Sequence, residues 1–369
     1  DSMKLGGIRE GRIYCTRGQT AGVWTGERFV SRGPLPNPET GTERVRFRLL
    51  NGQSTKRLLR PVVGAWTTTN LWPFGNGEAL GTVGKQVFHS DDGGRTWTTT
   101  HRLPPSSGPM GVLPTAVCEH EGTRYLAEYP LGEAPARIYT STDGGRTWEL
   151  LLETEEVRHF HGVFRDPYRE ELWATAGDTD EQSAIGRLRA GRFERVGGGS
   201  QRWRAVGLAF TPTAVLWGMD CSYAPEVELL RLDRDGSGEP VTVGTTDASV
   251  YYAETLSDGL ETWVVVSTAA EVGVDSTAPP GQRHNESSEM ARVLVASSRT
   301  AFEEWHELAT FQRRQVIGTH ISGVPTSSAY VFMAADPAVG LVLNPFNTQT
   351  NHGELLQIPL DRLRSLTAA

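Results

Sequence analysis

An eight-residue pattern occurs twice in the chain, at residues 90–97 and 141–148. Both copies read Ser, one variable residue, Asp-Gly-Gly, a second variable residue and then Thr-Trp. The paired glycines favour a tight turn because glycine adopts positive φ at no steric cost, and the Asp can accept hydrogen bonds from the backbone downstream. The Trp then begins the next strand and packs into the sheet. The pattern therefore predicts a hairpin turn that recurs with a structural repeat.

The rest of the chain reads as short strands separated by turns. Runs of apolar, β-branched and aromatic residues alternate with Gly, Pro, Asn and Asp clusters. A small antiparallel sheet buries both of its faces only when it is packed between neighbours in a ring. We therefore predict an all-β fold, a seven-bladed β-propeller of four-stranded antiparallel blades that forms a single domain over residues 1–369. The approximate blades are residues 5–60, 61–103, 104–153, 154–199, 200–246, 247–313 and 314–360.

Four segments carry more specific expectations. Because such rings are usually closed by a blade shared between the chain ends, Glu354–Ile358 is predicted to pair with the N-terminal unit. The seventh unit is predicted to begin with a strand at Ile321–Thr326. Helical periodicity is best at Thr300–Leu308 and Leu360–Leu366. A long loop is expected within the sixth unit at residues 273–288, either functional or disordered.

Composition excludes several classes of function. The net charge of -8 argues against a nucleic-acid partner, which would require a basic face. No apolar run approaches the roughly 20 residues that span a bilayer. The three widely spaced cysteines are expected to be buried free thiols: Cys15, Cys118 and Cys221.

The first residues of the sequence do not determine the cellular location of the protein. Asp1 and Ser2 precede Met3 in the manner of a cloning remnant. If Met3 is the native start, no signal peptide begins there and a cytoplasmic location is expected. A leader that had been trimmed away would instead make the protein secreted.

The octapeptide resembles the Asp-box, or BNR repeat, of sialidase-like β-propellers, and both copies match its fixed positions. The resemblance covers two of the seven units directly, and it implies the propeller fold. It leaves the function open, because the repeat occurs in sialidases, xyloglucanases, sortilin-type receptors and photosystem assembly factors. Its residues are structural and are excluded from the candidate site. The early Arg-Ile-Pro motif of true sialidases is absent from the sequence, with only a faint echo at residues 59–61, so exo-sialidase activity is a minor alternative.

The innermost strand of each propeller blade starts at one mouth of the central channel, so residues at these starts converge. Alignment of the starts places His161, Arg204, Tyr252 and His320 at equivalent positions. Arg can bind a carboxylate at two points, His titrates near neutrality, and Tyr can donate or accept a proton. We predict that the two histidines act as acid and base, that Tyr252 assists, and that Arg204 binds a substrate carboxylate. Similar sets occur in propeller-fold polysaccharide lyases and in a related rhamnosidase-type glycosidase.

Further residues near these starts are predicted to bind substrate. Asp178 and Asp220 each follow an apolar strand and are expected at the rim of the mouth. They could bind sugar hydroxyls, orient a histidine or act as acid and base; the alternative is that they only cap their strands. The aromatic candidates could stack on a sugar face or lie in the core. The full set is His159, Gln201, Trp203, Asp178, Asp220 and Trp66.

The main prediction includes no metal or other cofactor, although a divalent metal is an alternative. His159 and His161 are two residues apart, and in a strand both imidazoles would point the same way. A third ligand would come from His320 or Asp178.

These observations predict a carbohydrate-active enzyme, a glycoside hydrolase or polysaccharide lyase, that acts on an acidic or rhamnose-bearing glycan. The alternative is a non-enzymatic propeller that binds a glycan or a protein. An open channel mouth with the four catalytic candidates unpaired would favour the enzyme. A mouth filled by mutually bonded side chains would favour the binding protein.

Overall fold

The computed structural model describes residues 2–63, 66–67, 69–107, 111–130, 132, 134–224, 226–235, 238–272, 288–317 and 328–368. The protein is all-β, and seven antiparallel sheets are arranged as a β-propeller, which confirms the predicted fold. In each sheet the strands pair in the order in which they occur along the chain. Every sheet is thus a simple meander, and sheets that are adjacent in sequence are adjacent in the ring.

The first four sheets contain four strands each. The first contains β1 (Lys4–Arg9), β2 (Arg12–Arg17), β3 (Thr20–Trp24) and β4 (Phe29–Pro34). The second contains β5 (Thr69–Pro73), β6 (Ala79–Val83), β7 (Gln86–Ser90) and β8 (Thr98–Arg102). The third contains β9 (Val117–His120), β10 (Thr123–Ala127), β11 (Ala136–Ser141) and β12 (Glu149–Thr154). The fourth contains β13 (Phe160–Asp166), β14 (Glu171–Ala176), β15 (Ala184–Arg189) and β16 (Arg192–Gly198).

Three more sheets complete the ring. The fifth contains β17 (Ala209–Phe210), β18 (Ala214–Gly218), β19 (Val227–Asp233) and β20 (Val241–Thr246). The sixth contains β21 (Val250–Ser257), β22 (Thr262–Thr268), β23 (Met290–Ser297) and β24 (Trp305–Gln312). Within the described residues the seventh contains β25 (Tyr330–Asp336), β26 (Gly340–Phe346) and β27 (Leu356–Ile358). The strand predicted at residues 321–326 lies outside the described residues, as does most of the loop predicted at residues 273–288.

The helices agree only in part with the periodicity. Helix α3 (Leu360–Thr367) forms as predicted, whereas the predicted helix at residues 300–308 is wrong, because this stretch leads into β24. There, pairing with β23 and a hydrogen bond from the Trp305 indole to the carbonyl oxygen of Val243 override the local helical pattern. Helices α1 (Gly41–Asn51) and α2 (Gln53–Leu59) were not predicted, and no residue of α1 is buried. None of the described helices has the length and apolar character needed to cross a bilayer.

The two octapeptides form matching turns between the third and fourth strands of the second and third sheets. In the first turn, Asp92 Oδ1 accepts hydrogen bonds from the backbone amides of Arg95 and Thr96 at 2.8 and 2.9 Å. Asp143 accepts equivalent bonds in the second turn. The glycines at 93 and 94 have φ of 73° and 85°, which only glycine adopts without strain. The predicted turn chemistry is therefore present in both copies.

The hydrophobic core lies between the faces of adjacent sheets. The largest fully buried side chains include Trp173, Trp217 and Trp263. All three cysteines are free; Cys15 and Cys221 are buried, and Cys118 is half-buried. Because each core layer is shared by two sheets, removal of one sheet would expose a face of both its neighbours.

The ring is not closed as the sequence predicted. Strand β27 pairs with β26 of its own sheet, so the predicted pairing of residues 354–358 with the N-terminal unit is wrong. Instead, β1 packs beside β25, and the Asn344 side chain joins the two chain ends. Its Oδ1 accepts a hydrogen bond from the Leu5 amide at 2.9 Å, and its Nδ2 donates to the carbonyl oxygens of Met3 and Glu354 at 3.2 and 2.8 Å. We call this contact the closure contact.

The closure contact generates a stability prediction. Asn344 is fully buried, so Asn344→Ala leaves one backbone N–H and two carbonyl groups without their partner. We expect the free energy of unfolding, measured with denaturant, to fall by about 2–4 kcal/mol. Asn51→Ala is the matched control, since this half-buried residue bonds only within α1 through the Phe47 carbonyl oxygen. An equal loss in both variants would show that Asn344 has no special role in closing the ring.

A second prediction concerns Lys4, a buried residue of β1. Its ammonium group donates to Asn70 Oδ1 and lies 4.8 Å from the centre of the Phe332 ring, and burial lowers the pKa of Lys4 to about 7. The unfolded chain, in which the Lys pKa is about 10.4, binds more protons between these values, so this group makes stability rise with pH from about 7 to 10.

Lys4→Met removes this contribution. Between about pH 6.5 and 9.5, the free energy of unfolding of the wild type is expected to rise by roughly 2–3 kcal/mol more than that of the variant. Denaturant titrations at both pH values measure this, and the subtraction cancels all other titrating groups. A difference between the two proteins that does not change with pH would contradict the prediction.

Candidate functional site

The candidate site is built where the fourth sheet begins. His159 directly precedes β13, and His161 is the second residue of this strand. Because β13 and β14 are antiparallel, the start of one lies beside the end of the other, and Phe160 pairs with Ala176. This pairing brings Asp178, which follows β14, to the two histidines. The histidines and Asp178 therefore meet through backbone pairing rather than through closeness in sequence.

The turn that carries Asp178 requires a glycine. Gly177 has a φ of 81°, and a Cβ atom at this position would lie 2.1 Å from the carbonyl oxygen of Gln182. Its backbone amide donates to the carbonyl oxygen of His159 at 3.1 Å. The turn is thereby fixed to the start of β13, and the Asp178 carboxylate is held against the two imidazoles.

The fifth sheet contributes a guanidinium and a second carboxylate. Arg204 follows a short 3-10 turn, Gln201–Trp203, and precedes β17, whereas Asp220 follows β18. The backbone amide of Asp220 donates to the carbonyl oxygen of Arg204 at 2.9 Å, which holds the two segments together. Between the side chains, Arg204 Nε lies 3.3 Å from Asp220 Oδ2. Arg204 Nη2 lies 3.5 Å from Asp178 Oδ1, so this guanidinium stands between two carboxylates.

The two imidazoles face each other and Asp178. His159 Nε2 and His161 Nε2 are 3.0 Å apart, and they lie 3.2 and 3.3 Å from Asp178 Oδ1. The register of β13 shifts between Phe160 and Gly162, which places His161 in a bulge that redirects its side chain. His161 Nδ1 donates to the carbonyl oxygen of Ala205 at 2.9 Å, which ties the fourth sheet to the fifth. Both histidines are 1% exposed, so these contacts are shielded from solvent.

The cluster drives the pKa values of its two carboxyl groups in opposite directions. Burial alone would raise the pKa of Asp178, but hydrogen bonds from His159 and His161 and their charges hold it far below its usual range. Burial raises the pKa of Asp220 to about 6, against the charge of Arg204, which lowers it. Burial also lowers the pKa of His159 to about 4. Near neutral pH, Asp178 is therefore a fixed anion, whereas Asp220 is able to hold or release a proton.

Five of the predicted residues join the cluster, and a sixth borders it. Gln201 Nε2 donates to the Asp178 carbonyl oxygen and to Asp180 Oδ1, both at 3.0 Å, so it supports the loop rather than the carboxylate. The residues in the cluster are His159, His161, Asp178, Arg204 and Asp220.

Three of the described predicted residues are not brought into the cluster. The Tyr252 ring packs against Phe332, with ring centres 5.4 Å apart, and Trp203 stacks on Trp217 in the core at 5.4 Å. Trp66 lies beneath the ammonium group of Lys56, 5.8 Å from it. His320 lies outside the described residues.

Four residues at the site were not predicted. Arg158 Nη1 donates to Asp178 Oδ2 at 2.8 Å, and its position next to His159 in the sequence was an available signal. The Tyr129 ring packs on His159 with centres 4.0 Å apart, but it arrives from the third sheet, and nothing in the sequence marks it. The hydroxyl of Tyr251, and not that of Tyr252, donates to Glu271 Oε1 at 2.8 Å. Adjacent residues of a strand face opposite sides, so an alignment error of one residue selected the wrong tyrosine.

A cleft lies beside Asp220. Its lining includes Cys221, Ser222, Ser249 and Glu271. Burial and the charge of Glu271 both act to raise the pKa of Asp220, which indicates that Glu271 is close to this carboxyl group. The cleft is small, with a volume of about 10 Å³, so it has room for about one water molecule beside the residues that follow Asp220.

Comparisons with known proteins establish only the fold. No protein-family model and no curated protein matches the chain. Among solved structures, the crystal structure of an ancestral GH74 enzyme superposes with a TM-score of 0.50 and 11% sequence identity. The match covers 92% of this chain and 42% of that chain, so the protein spans less than half the length of the enzyme. A likeness at this identity shows a shared propeller fold and assigns no residue a role.

Proposed function

We propose that the protein is a carbohydrate-active enzyme that acts on an acidic glycan, as a glycoside hydrolase or a polysaccharide lyase. The observation that carries the proposal is the placement of Arg204 between two buried carboxylates, Asp178 and Asp220. A buried guanidinium held in this way can bind a substrate carboxylate at two points. The ancestral GH74 enzyme of the same fold supports the general class, since a propeller of this kind can carry glycoside hydrolase chemistry.

The two carboxyl groups suit different tasks. Paired carboxyl groups whose surroundings drive their pKa values apart are typical of sites that divide acid and anion roles. Asp178, held by Arg158 and both histidines, stays ionised and positions the cluster. Asp220 is the proposed proton donor, because its pKa of about 6 lets it carry a proton near neutral pH. When Asp220 is protonated, its attraction to Arg204 weakens, so a substrate carboxylate can compete with Asp220 for the guanidinium, which stays bonded to Asp178.

The histidines predicted to act as acid and base receive a different role in this proposal. His161 Nδ1 is committed to the Ala205 carbonyl oxygen, and its Nε2 faces His159 and Asp178. Both ring nitrogens are therefore engaged within the cluster. We assign His161 to holding Asp178 and Arg204 in place, and Asp220 to the proton transfer itself.

A non-enzymatic glycan-binding propeller is the second candidate, and one observation favours it. Of the catalytic candidates, His161 and Arg204 are bonded within the cluster rather than free, with His159 and His161 each 1% exposed and Arg204 7% exposed. A bonded, buried cluster is what the binding protein was expected to show. The same criterion also involves His320, which lies outside the described residues.

We further propose that the two octapeptide turns are Asp-box repeats. Their shared hydrogen bonds support this: in each copy the Ser hydroxyl accepts from the second glycine of the pair, at 2.9 Å in one and 2.7 Å in the other. In each copy, too, the Thr hydroxyl donates to the Asp carboxylate at 2.7 Å. The repeats lie in the second and third sheets, apart from the candidate site, and are assigned a structural role.

A panel of uronate-containing and neutral oligosaccharides tests the enzyme proposal. Turnover by the wild type is followed by ultraviolet absorption of an unsaturated product, which marks a lyase, and by new reducing ends, which mark both reactions. We expect turnover of acidic substrates only. Asp220→Asn should lower kcat about 10²–10⁴-fold because the proton donor is lost, and Arg204→Lys should mainly raise KM for the acidic substrate.

Asp233→Asn provides the matched control, since among the described residues this half-exposed carboxylate bonds only Arg231 of its own strand and takes no part in the cluster or the cleft, so kcat and KM should stay unchanged. Circular dichroism of each variant confirms that it is folded. If the wild type turns over no glycan yet binds an acidic one saturably, and Arg204→Lys weakens that binding, the enzyme proposal fails and the glycan-binding propeller replaces it.

A further inference from the structure

We propose that His159, His161 and Asp178 form a binding site for one divalent transition metal ion of the zinc class. The inference goes beyond the proposed glycan chemistry and does not depend on it. It rests on the positions of three ligand atoms, on the tautomer of the His161 ring, and on the chemical kind of the ligands.

The ligand atoms are spaced like those around a small tetrahedral ion. His159 Nε2, His161 Nε2 and Asp178 Oδ1 form a triangle with sides of 3.0, 3.2 and 3.3 Å. Bonds of about 2.0–2.1 Å from zinc to nitrogen or oxygen place tetrahedral ligand atoms roughly 3.3–3.4 Å apart. An ion above the triangle would therefore require its sides to widen by only a few tenths of an ångström.

The hydrogen bond to Ala205 fixes the tautomer of His161. A carbonyl oxygen can only accept, so His161 Nδ1 carries the hydrogen, and the Nε2 atom of the neutral ring presents a lone pair. This lone pair faces Asp178 Oδ1 at 3.3 Å, so two acceptors point at each other in a buried space. Either a proton on Nε2, donated to Asp178, or a metal cation bound to both atoms removes this repulsion. A carbonyl oxygen on the far ring nitrogen is also the usual support for a metal-ligating histidine.

The set of ligands indicates the class of metal. Two imidazole nitrogens and one carboxylate oxygen suit zinc and neighbouring transition metals, whereas Ca²⁺ and Mg²⁺ prefer oxygen ligands. Three protein ligands leave a fourth position for water or substrate, as in catalytic zinc sites. Arg158 and Arg204 both contact the Asp178 carboxylate, at 2.8 and 3.5 Å. These cations compete with the metal, so its affinity should be lower than that of a structural zinc site.

A second group of possible ligands among the described residues is less suited to bind a metal ion. Glu78, His89 and Asp91 also lie close together, but the carboxylates are already paired with Arg124 and Arg146. The Asp91 side chain is 59% exposed, so it remains hydrated. His89 is therefore a suitable control, a histidine next to carboxylates that we expect to bind no ion.

The test uses protein purified without a histidine tag and freed of metal by a chelator that is then dialysed away. Equilibrium dialysis against Zn²⁺, followed by elemental analysis, should show one tightly bound equivalent per chain, and Mg²⁺ should not displace it. Added Co²⁺ should give the visible absorption of a tetrahedral site with nitrogen ligands. Zn²⁺ should also raise the Tm of the wild type.

Variants connect the ion to the proposed ligands. His159→Gln and Asp178→Asn should each lose the bound equivalent and the rise in Tm, whereas His89→Gln should retain both. If a ligand variant fails to fold, the Co²⁺ spectrum of the wild type still shows whether nitrogen ligands bind the ion. Absence of saturable Zn²⁺ binding and of that spectrum would overturn the proposal, and so would ligand variants that bind as the wild type does. No outcome depends on glycan turnover, so failure of the proposed function can be told apart from failure of the metal site.

Discussion

Closure of the ring at β1 and the seventh sheet is the constraint on which the rest of the structure depends. Each sheet is a small meander that buries both faces only between two neighbours. No strand is exchanged between the described parts of the first and seventh sheets, so closure depends on side-chain packing, on the hydrogen bonds of Asn344 and on a backbone hydrogen bond from the Met3 amide to the Gly353 carbonyl oxygen at 2.8 Å. A closed ring also fixes how neighbouring sheets meet, and so holds His161 against Ala205 across the fourth and fifth sheets.

The candidate site lowers the stability of the fold. A functional role explains such a site better than a contribution to stability does. Burial of two carboxylates and a guanidinium incurs desolvation that mutual attraction offsets only with good geometry. Asp178 has such geometry, because Arg158 and both imidazoles contact its oxygens. Asp220 does not, and burial raises its pKa. The imbalance keeps one carboxyl group ready to exchange a proton beside a guanidinium.

The sequence predicted where the polar side chains would meet better than it predicted which residues would meet there. Strand boundaries placed His161, Arg204, Asp178 and Asp220 at the ends of adjacent strands, and these residues do meet. Assignment of Tyr252 instead of Tyr251 depended on which face of β21 a single residue occupies, and a bulge near the start of that strand shifts the register. Tyr129 could not be predicted from the sequence, since it belongs to a different sheet and its position follows only from the packing of the sheets in the propeller.

The sequence by itself determined the local structure: strands, turns and the number of sheets. The octapeptides are an example, because the glycine dihedral angles and the Asp hydrogen bonds are satisfied within eight residues. The tertiary structure decided whatever depends on distant partners. Residues 300–308 lead into a strand because β23 is beside them, and β27 pairs with β26 while Asn344 links the chain ends. The same holds for the buried cluster, whose contacts and pKa values arise only when the fourth and fifth sheets exclude water from it.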